Sequence, residues 1–271
     1  MLSSLFPCFV LTLPAAAADS AETLFEQAET LAKGNRKQEA LAKVEAAVAE
    51  LERAQAAGEK IQRTGLDGLR FAARLAREDF LDYAQSLLYC DKLFRLADSD
   101  YWRVPARLER ALTYRAMGDF EKAQAEYDAI AAADPRQRAA GILPQAEMVY
   151  FDRRDEQRGR QLIAEALGNA AINGRERFAT LRKCAQQAIV QGRREEALRW
   201  YAMLEKLPFD KPAERARFLT QAWYEMGQIE ATRGRTSEAK VHYRKAMQLE
   251  DGEMRFRARA RDALENIEYF E

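Results

Sequence analysis

The sequence predicts an all-α protein built from repeated pairs of helices, and three observations support this. Ala, Leu, Glu, Arg and Gln dominate the 271 residues, and these side chains lose little freedom in a helix. The chain contains only seven Pro, and it lacks the runs of Val, Ile and Thr that are typical of strands. Small and aromatic residues also recur at a period of about 40 residues, which indicates a repeat protein rather than a single irregular bundle.

Residues 1–18 differ from the rest of the chain. An apolar stretch from Leu5 to Leu13 is followed by Pro14 and then by a run of alanines. This order is typical of a secretory signal peptide, here cleaved before Asp19, although no Lys or Arg precedes the apolar stretch. The stretch is too short to anchor the chain stably in a bilayer. We therefore expect an exported chain with no transmembrane segment after cleavage; the alternative is an ordinary N-terminus.

The segment 221–250 predicts two helices joined by a turn at Gly234. Its packing residues lie three or four positions apart, so they share one face of each helix. They are Trp223, Met226, Gly227 and Glu230 on the first helix, and Ala239, Tyr243 and Ala246 on the second. The small residues let the two helices approach closely, and the aromatic rings fill the space beside that contact.

The same spacing recurs five more times along the chain. Two copies are as clear as the first: Ala111, Tyr114, Gly118, Ala123, Tyr127 and Pro135; and Leu181, Ala185, Ala188, Gly192, Ala197, Tyr201 and Leu204. The N-terminal copy contains Leu24, Ala28, Leu31, Ala40, Val44 and Ala47. Two weaker copies contain Ala72, Leu75, Ala84 and Leu88, and Tyr150, Gly159, Ile163 and Ala166. Ala-rich helices produce single matches by chance, but not six in series.

These residues resemble the tetratricopeptide repeat, a helix-turn-helix unit of about 34 residues with the same small and aromatic positions. The resemblance covers about residues 20–250. It implies a right-handed α-solenoid of about six repeats, in which neighbours must stack because no repeat buries its own apolar face. The longer spacing here predicts longer helices or connections, such as the one around Pro208 and Pro212.

A final helix is expected to cap the last repeat. Its apolar stripe is Phe256, Ala260, Ala263, Ile267 and Phe270. The four Arg from Arg255 to Arg261 leave open a basic arm for nucleic acid or lipid, but the acidic residues that follow favour the cap. The expected organisation is therefore a signal peptide over 1–18, a solenoid over 19–252 and a capping helix over 253–271.

Residues that could carry chemistry are scarce. The 43 basic and 43 acidic side chains give no net charge to attract nucleic acid. The single His, His242, has no second His or Cys at metal-ligand spacing, and no nucleophile, phosphate or calcium motif is present. Cys90 and Cys184 lie three repeats apart, so we expect two unpaired thiols. The sequence predicts no enzyme, no catalytic residue, no cofactor and no metal.

Function is therefore expected on the surface. In tetratricopeptide proteins the first helices line a concave groove that binds peptides or helices of partner proteins, and the resemblance implies the same use here. The candidates are first-helix residues outside the packing set, with emphasis on Arg, Met and aromatic side chains, which are enriched at interface cores. They are Arg115, Met148, Phe151, Arg182, Gln186, Tyr224 and Gln228.

Two functions fit this surface. The favoured one is a non-enzymatic adaptor or scaffold, periplasmic or secreted, that assists an envelope or secretion assembly. The alternative is a cytoplasmic regulatory or sensor module for an enzyme partner. The compartment of the mature chain distinguishes the two.

Overall fold

A computed structural model describes residues 19–133, 138–209 and 211–270, and every regular element within these ranges is a helix. The proposed signal segment and Pro135 lie outside the described residues. The chain divides into two compact units, Met1–Glu126 and Tyr127–Glu271. None of the described helices is both long and apolar enough to cross a membrane.

The helices of the first three repeats follow one another as hairpins. The first is α1 (Ala21–Lys33) with α2 (Lys37–Ala56), the second α3 (Arg63–Asp79) with α4 (Tyr83–Leu96), and the third α5 (Asp100–Met117) with α6 (Phe120–Ala133). In the N-terminal unit α3 packs against both α1 and α5, so successive first helices stack side by side.

Three more hairpins and a last helix follow. They are α7 (Arg138–Glu147) with α8 (Glu156–Gly168), α9 (Gly174–Val190) with α10 (Arg194–Leu204), α11 (Pro212–Ala231) with α12 (Thr236–Gln248), and then α13 (Met254–Phe270). One π-helical turn, Met148–Asp152, continues α7. Six helical hairpins, with no strand in the described residues, confirm the all-α prediction and are consistent with an α-solenoid.

All six hairpins share one turn geometry. The residue immediately before the helix-capping residue of each second helix has a φ between 55° and 80°. Glycine, which has no Cβ, adopts this left-handed conformation freely, whereas for an L-residue it costs about 1–2 kcal/mol. The six residues are Asn35, Leu81, Gly118, Arg154, Gly192 and Gly234. In the second and fourth hairpins, therefore, Leu81 and Arg154 occupy a position that favours glycine.

The fifth residue after each of these turn residues is small and buried. Its amide donates to the backbone carbonyl of the capping residue over 2.8–3.1 Å, which sets the packing register of the second helix. The six are Ala40, Ser86, Ala123, Gly159, Ala197 and Ala239. Five of them were predicted from the spacing.

The register predicted for the second hairpin was wrong. Ser86, not Ala84, is the buried small residue, and Leu88 is 53% exposed. The cause is the start of α4: the Asp82 carboxylate accepts a hydrogen bond from the Gln85 amide at 2.9 Å and caps the helix there. Counted from that cap, the buried face begins two residues later than expected.

The fourth hairpin needs glycine at its small position. A Cβ on Gly159 would lie 2.6 Å from the Tyr150 Cβ and 2.7 Å from its Cα. Tyr150 belongs to the π-helical turn, and such turns bulge out of the regular helix. The closer approach of the two backbones explains why the other hairpins accept Ala or Ser here and this one does not.

The last helix packs where a cap is expected, against α11 and α12. Ala260 is fully buried beside Tyr243 and Ala246, and Ile267 lies at the edge of this cluster. Leu264, which was absent from the predicted stripe, is also buried. The side chain of Phe270 lies outside the described residues.

Candidate functional site

The first helices of the C-terminal unit lie side by side and present one continuous surface. The Lys183 ammonium of α9 lies 2.6 Å from the Glu147 carboxylate of α7. On the other side of α9, the Arg182 Nε lies 3.4 Å from the Glu225 carboxylate of α11. We call this surface the first-helix face; its accessible side chains are Glu147, Phe151, Arg182, Lys183, Gln186, Gln187, Tyr224, Glu225 and Gln228, and Phe256 of α13 borders it beside Tyr224.

Four of the predicted residues lie on this face with part of their side chain accessible. Gln186 is exposed and has no side-chain partner among the described residues. Gln228 is also exposed, and its amide donates to the Tyr243 hydroxyl at 2.8 Å. Phe151 is half-buried beneath the Lys183 ammonium, which lies 5.5 Å from the ring centroid. Arg182 is half-buried in its ion pair with Glu225, so its charge is already compensated.

Two predicted residues lie elsewhere. Met148 is fully buried, because the π-helical turn points its side chain into the core, and it offers no contact to a partner. Its selection as a groove residue was wrong. Arg115 belongs to α5 in the N-terminal unit, where it is half-buried.

Tyr224 does more than line the face. Its ring lies 5.6 Å from Phe256 of α13 and 6.1 Å from Tyr243 of α12. The Arg255 and Arg259 guanidinium groups lie 5.9 and 6.0 Å from the Phe256 ring, within the range of a cation–π interaction. Tyr224 was selected as a residue outside the packing set, but its ring packs against α12 and α13.

A cavity of about 650 Å³ opens where the fourth and fifth hairpins meet. The π-helical turn, the turn before α8, the end of α9 and the start of α10 supply its walls. We call it the turn cavity; it is lined by Tyr150, Phe151, Arg154, Glu156, Gln187, Gln191 and Arg193. Phe151 belongs to both the cavity and the first-helix face.

The lining carboxylate, Glu156, and the buried Glu196, which shares its two arginine partners, are both compensated. Glu156 accepts hydrogen bonds from Arg193 at 2.7 Å and from Arg160 at 3.2 Å. The bond from Arg193 is the main reason that the pKa of Glu156 lies below its usual range. The buried Glu196 accepts from the Tyr150 hydroxyl at 2.8 Å and from Arg160 at 2.5 Å. Burial, and then Glu196, raise the pKa of Tyr150 to about 12, so its hydroxyl stays a donor.

Arg154 stands outside this network. It is exposed, and it has no ion-pair or hydrogen-bond partner among the described residues. The Gln187 side chain also lacks one, and Gln191 accepts a bond from Arg193 through its oxygen, which leaves its NH₂ group to donate. The turn cavity therefore presents one uncompensated guanidinium and two amides beside an aromatic wall.

The sequence-based prediction missed Arg154, Gln187, Gln191 and Arg193. A signal for Arg154 exists only once the turn position is known, because an arginine then stands where three of the other five hairpins carry glycine. The spacing pattern alone places it in an ordinary charged turn.

Within the described ranges no group of three or more His, Cys, Asp or Glu side chains is placed to hold a metal ion. Cys90 and Cys184 are free and buried, and burial raises the pKa of each thiol to about 12, so thiolate chemistry is disfavoured. Burial, and then Lys245, lower the pKa of His242. Its Nδ1 is buried and has no hydrogen-bond partner within the described residues.

Comparison with known proteins identifies relatives of two of the helical hairpins. The tetratricopeptide repeat model matches residues 104–137 and 220–252. No curated protein sequence matches the chain. One similar solved structure is a tetratricopeptide repeat protein from Parabacteroides merdae ATCC 43184, with a TM-score of 0.42 and 12% identity over 90% of this chain and 97% of that chain; this likeness is too distant to carry an argument. The two matched segments coincide with α5–α6 and α11–α12, so the chain carries tetratricopeptide repeats at these positions, as the resemblance predicts.

Proposed function

We propose that the protein is a non-enzymatic scaffold that binds a segment of a partner protein along the first-helix face of its C-terminal unit. Tetratricopeptide repeats typically bind proteins or peptides and are typically not enzymes, which supports this class of function. We choose this surface because adjacent helices present accessible side-chain amides there: Gln186 and Gln187 on α9, and Gln228 on α11. A side-chain amide both donates and accepts, as a peptide backbone requires.

The charges of the face also favour a polypeptide over nucleic acid. Lys183 and Arg182 are paired with Glu147 and Glu225, so they are not free to neutralise phosphates. Binding to a nucleic-acid backbone depends on such free cations. What remains accessible between the ion pairs is amide and aromatic surface, including Phe151 and Tyr224.

We also propose that the chain is exported and acts in the periplasm or outside the cell, where it assists an envelope or secretion assembly. The support is the order of the first 18 residues: an apolar stretch, Pro14 and then small residues before Asp19. The mature chain is then expected to begin at Asp19.

The experiment is site-specific photocrosslinking. The full chain is prepared with p-benzoylphenylalanine in place of Gln186, incubated with an extract of the source cells and irradiated. The control carries the same group in place of Arg199, an exposed residue on the second helix α10. We expect a discrete adduct from position 186 that excess unmodified chain abolishes, and none from position 199. Adducts from 199 alone would place binding on the second helices.

The same cells test the location. They are fractionated, and the N-terminal residues of the chain are determined. An intact Met1 on a chain recovered from the cytosol would remove the export proposal while leaving the choice of binding face untouched.

A further inference from the structure

We propose that the turn cavity binds an acidic side chain, Asp or Glu, of the partner segment, with an apolar neighbour of that side chain packed on Phe151. The inference rests on the proposed function, and it assigns the chemistry of the bound segment. The segment would cross the first-helix face and insert this side chain at the edge of the face, where Phe151 leads into the cavity.

The local charges favour an anion. Two carboxylates, Glu156 and Glu196, face two guanidinium groups, Arg160 and Arg193, and each carboxylate bonds to both of them. These four charges cancel. Arg154 adds one positive charge that no described residue compensates. A carboxylate supplies one negative charge and bonds well to a guanidinium group, whereas a phosphate group would bring more negative charge than the cavity offers to neutralise.

The hydrogen-bond donors around Arg154 suit the same ligand. Gln191 uses its oxygen to accept from Arg193, so its NH₂ group remains as a donor, and the Gln187 amide is free. A carboxylate accepts several hydrogen bonds at once. The volume of about 650 Å³ exceeds that of one acidic side chain, which leaves room for an apolar neighbour against the Phe151 ring.

The backbone conformation of Arg154 also supports a binding site here. Its φ of 57° is one that an arginine adopts at a cost in free energy, and three of the six equivalent turn residues are glycine. Strain of this kind is often retained where the side chain is used. Leu81, with a φ of 55°, shows that the turn tolerates other residues without a site, so the strain counts here only together with the unpaired charge and the cavity.

The test uses substitutions at the turn residue. Because glycine prefers this conformation, Arg154→Gly is expected to fold at least as stably as the wild type, so lost binding would not reflect unfolding. Leu81→Gly makes the same exchange at the matching position of the N-terminal unit and serves as the control. Random 12-residue segments, held at both ends in a carrier protein so that no terminal carboxylate is offered, are selected on the full wild-type chain.

We expect the selected segments to share an Asp or Glu next to an aromatic or aliphatic residue. Arg154→Gly should weaken binding of such a segment about tenfold or more, the scale of one charge-assisted hydrogen bond, and Leu81→Gly should leave it unchanged. Exchange of the acidic residue of the segment for its amide should weaken binding to the wild type by the same factor. The same exchange should not weaken binding to Arg154→Gly any further.

The two proposals fail in different ways. Segments that bind Arg154→Gly as tightly as the wild type, or that share no acidic residue, would overturn the assignment of the cavity and leave segment binding standing. A selection that yields no binding segment would overturn both.

Discussion

The hairpins α5–α6 and α11–α12 match the tetratricopeptide model, whereas α3–α4 and α7–α8 do not, yet their turns have the same backbone conformation. In the matched pair the turn residues are Gly118 and Gly234, with φ of 80° and 73°. In the unmatched pair they are Leu81 and Arg154, with φ of 55° and 57°. The geometry of the turn is therefore kept where the sequence pattern is lost.

In α3–α4 and α7–α8 a helix cap directly follows the strained turn residue. Asp82 and Asp155 follow the strained turn residues directly, and each carboxylate accepts a backbone amide of its helix, at 2.9 and 3.0 Å. Such a cap contributes about 1 kcal/mol, close to the cost of about 1–2 kcal/mol for a side chain in the left-handed conformation. Of the two matched hairpins, which have glycine at the turn, α5–α6 also has such a cap, from the Lys122 amide to Asp119 at 3.3 Å, whereas α11–α12 has none, because its capping residue is Arg235.

The largest effect that would test this comparison is expected at Gly159. Gly159→Ala places a methyl group against the backbone of Tyr150, which cannot move aside as a flexible side chain would. We expect overpacking to lower the free energy of unfolding by about 1–3 kcal/mol, measured by urea denaturation followed by circular dichroism. The control is Gly168→Ala in the same helix, where a Cβ meets nothing within 4 Å.

Equal stability of these two variants would mean that the π-helical turn does not bring Tyr150 close to α8. The fourth hairpin would then have the same packing distance as the matched ones, and its glycine would need another explanation.

Substitutions of the turn residue are expected to change the free energy of unfolding in opposite directions, depending on whether glycine is removed or introduced. Gly118→Ala is expected to destabilise the chain by about 1 kcal/mol, since a Cβ there meets no atom within 4 Å and only the backbone conformation is penalised. Leu81→Gly is expected to stabilise by roughly 0.5–1 kcal/mol, because relief of the strain outweighs the added flexibility of the unfolded chain. Leu81 is 65% exposed, so little packing is lost.

Urea denaturation of the two single variants measures both changes in the free energy of unfolding. Changes of the same sign would show that the left-handed conformation is not the common determinant of the six turns.

The comparison also shows how much of the molecule the sequence predicts. Five of the six register residues follow from spacing, because in those hairpins Ala or Gly marks the close contact directly. Ala84 was misplaced because serine fills the position at Ser86, and only the Asp82 cap reveals where α4 begins. Leu264 and the buried Met148 depend on how α13 and the π-helical turn are oriented, which periodicity within one helix does not determine.

The candidate site was less predictable for a physical reason. Gln186 and Gln228 are accessible because they lie outside the packing residues of their first helices, as the helical period predicts, whereas Phe151 is positioned by the π-helical turn. Whether a charged residue is available depends instead on partners from other helices. Arg182 is paired with Glu225 of α11, while Arg154 has no partner among the described residues, and neither fact follows from local sequence.

The smallest effect is expected at Ser86, the one hydroxyl among the six small positions. Its Oγ lies 2.8 Å from the Ala73 carbonyl and 2.9 Å from the Thr113 hydroxyl. Thr113 also lies 2.8 Å from the Glu109 carbonyl, to which it donates. The two hydroxyl groups have only two protons for these three contacts. After Ser86→Ala the Thr113 hydroxyl can still donate to the Glu109 carbonyl.

Since the substitution leaves no donor unsatisfied and keeps the Cβ that the close contact accepts, we expect Ser86→Ala to lower the free energy of unfolding by only about 0.5 kcal/mol. Thr113→Val removes the matching hydroxyl with little change of shape and should cost a similar amount. The double variant should cost less than the sum of the two, because both remove the same contact. A loss of several kcal/mol from Ser86→Ala in urea denaturation would mean that the second hairpin, unlike the matched ones, depends on this polar contact for its packing.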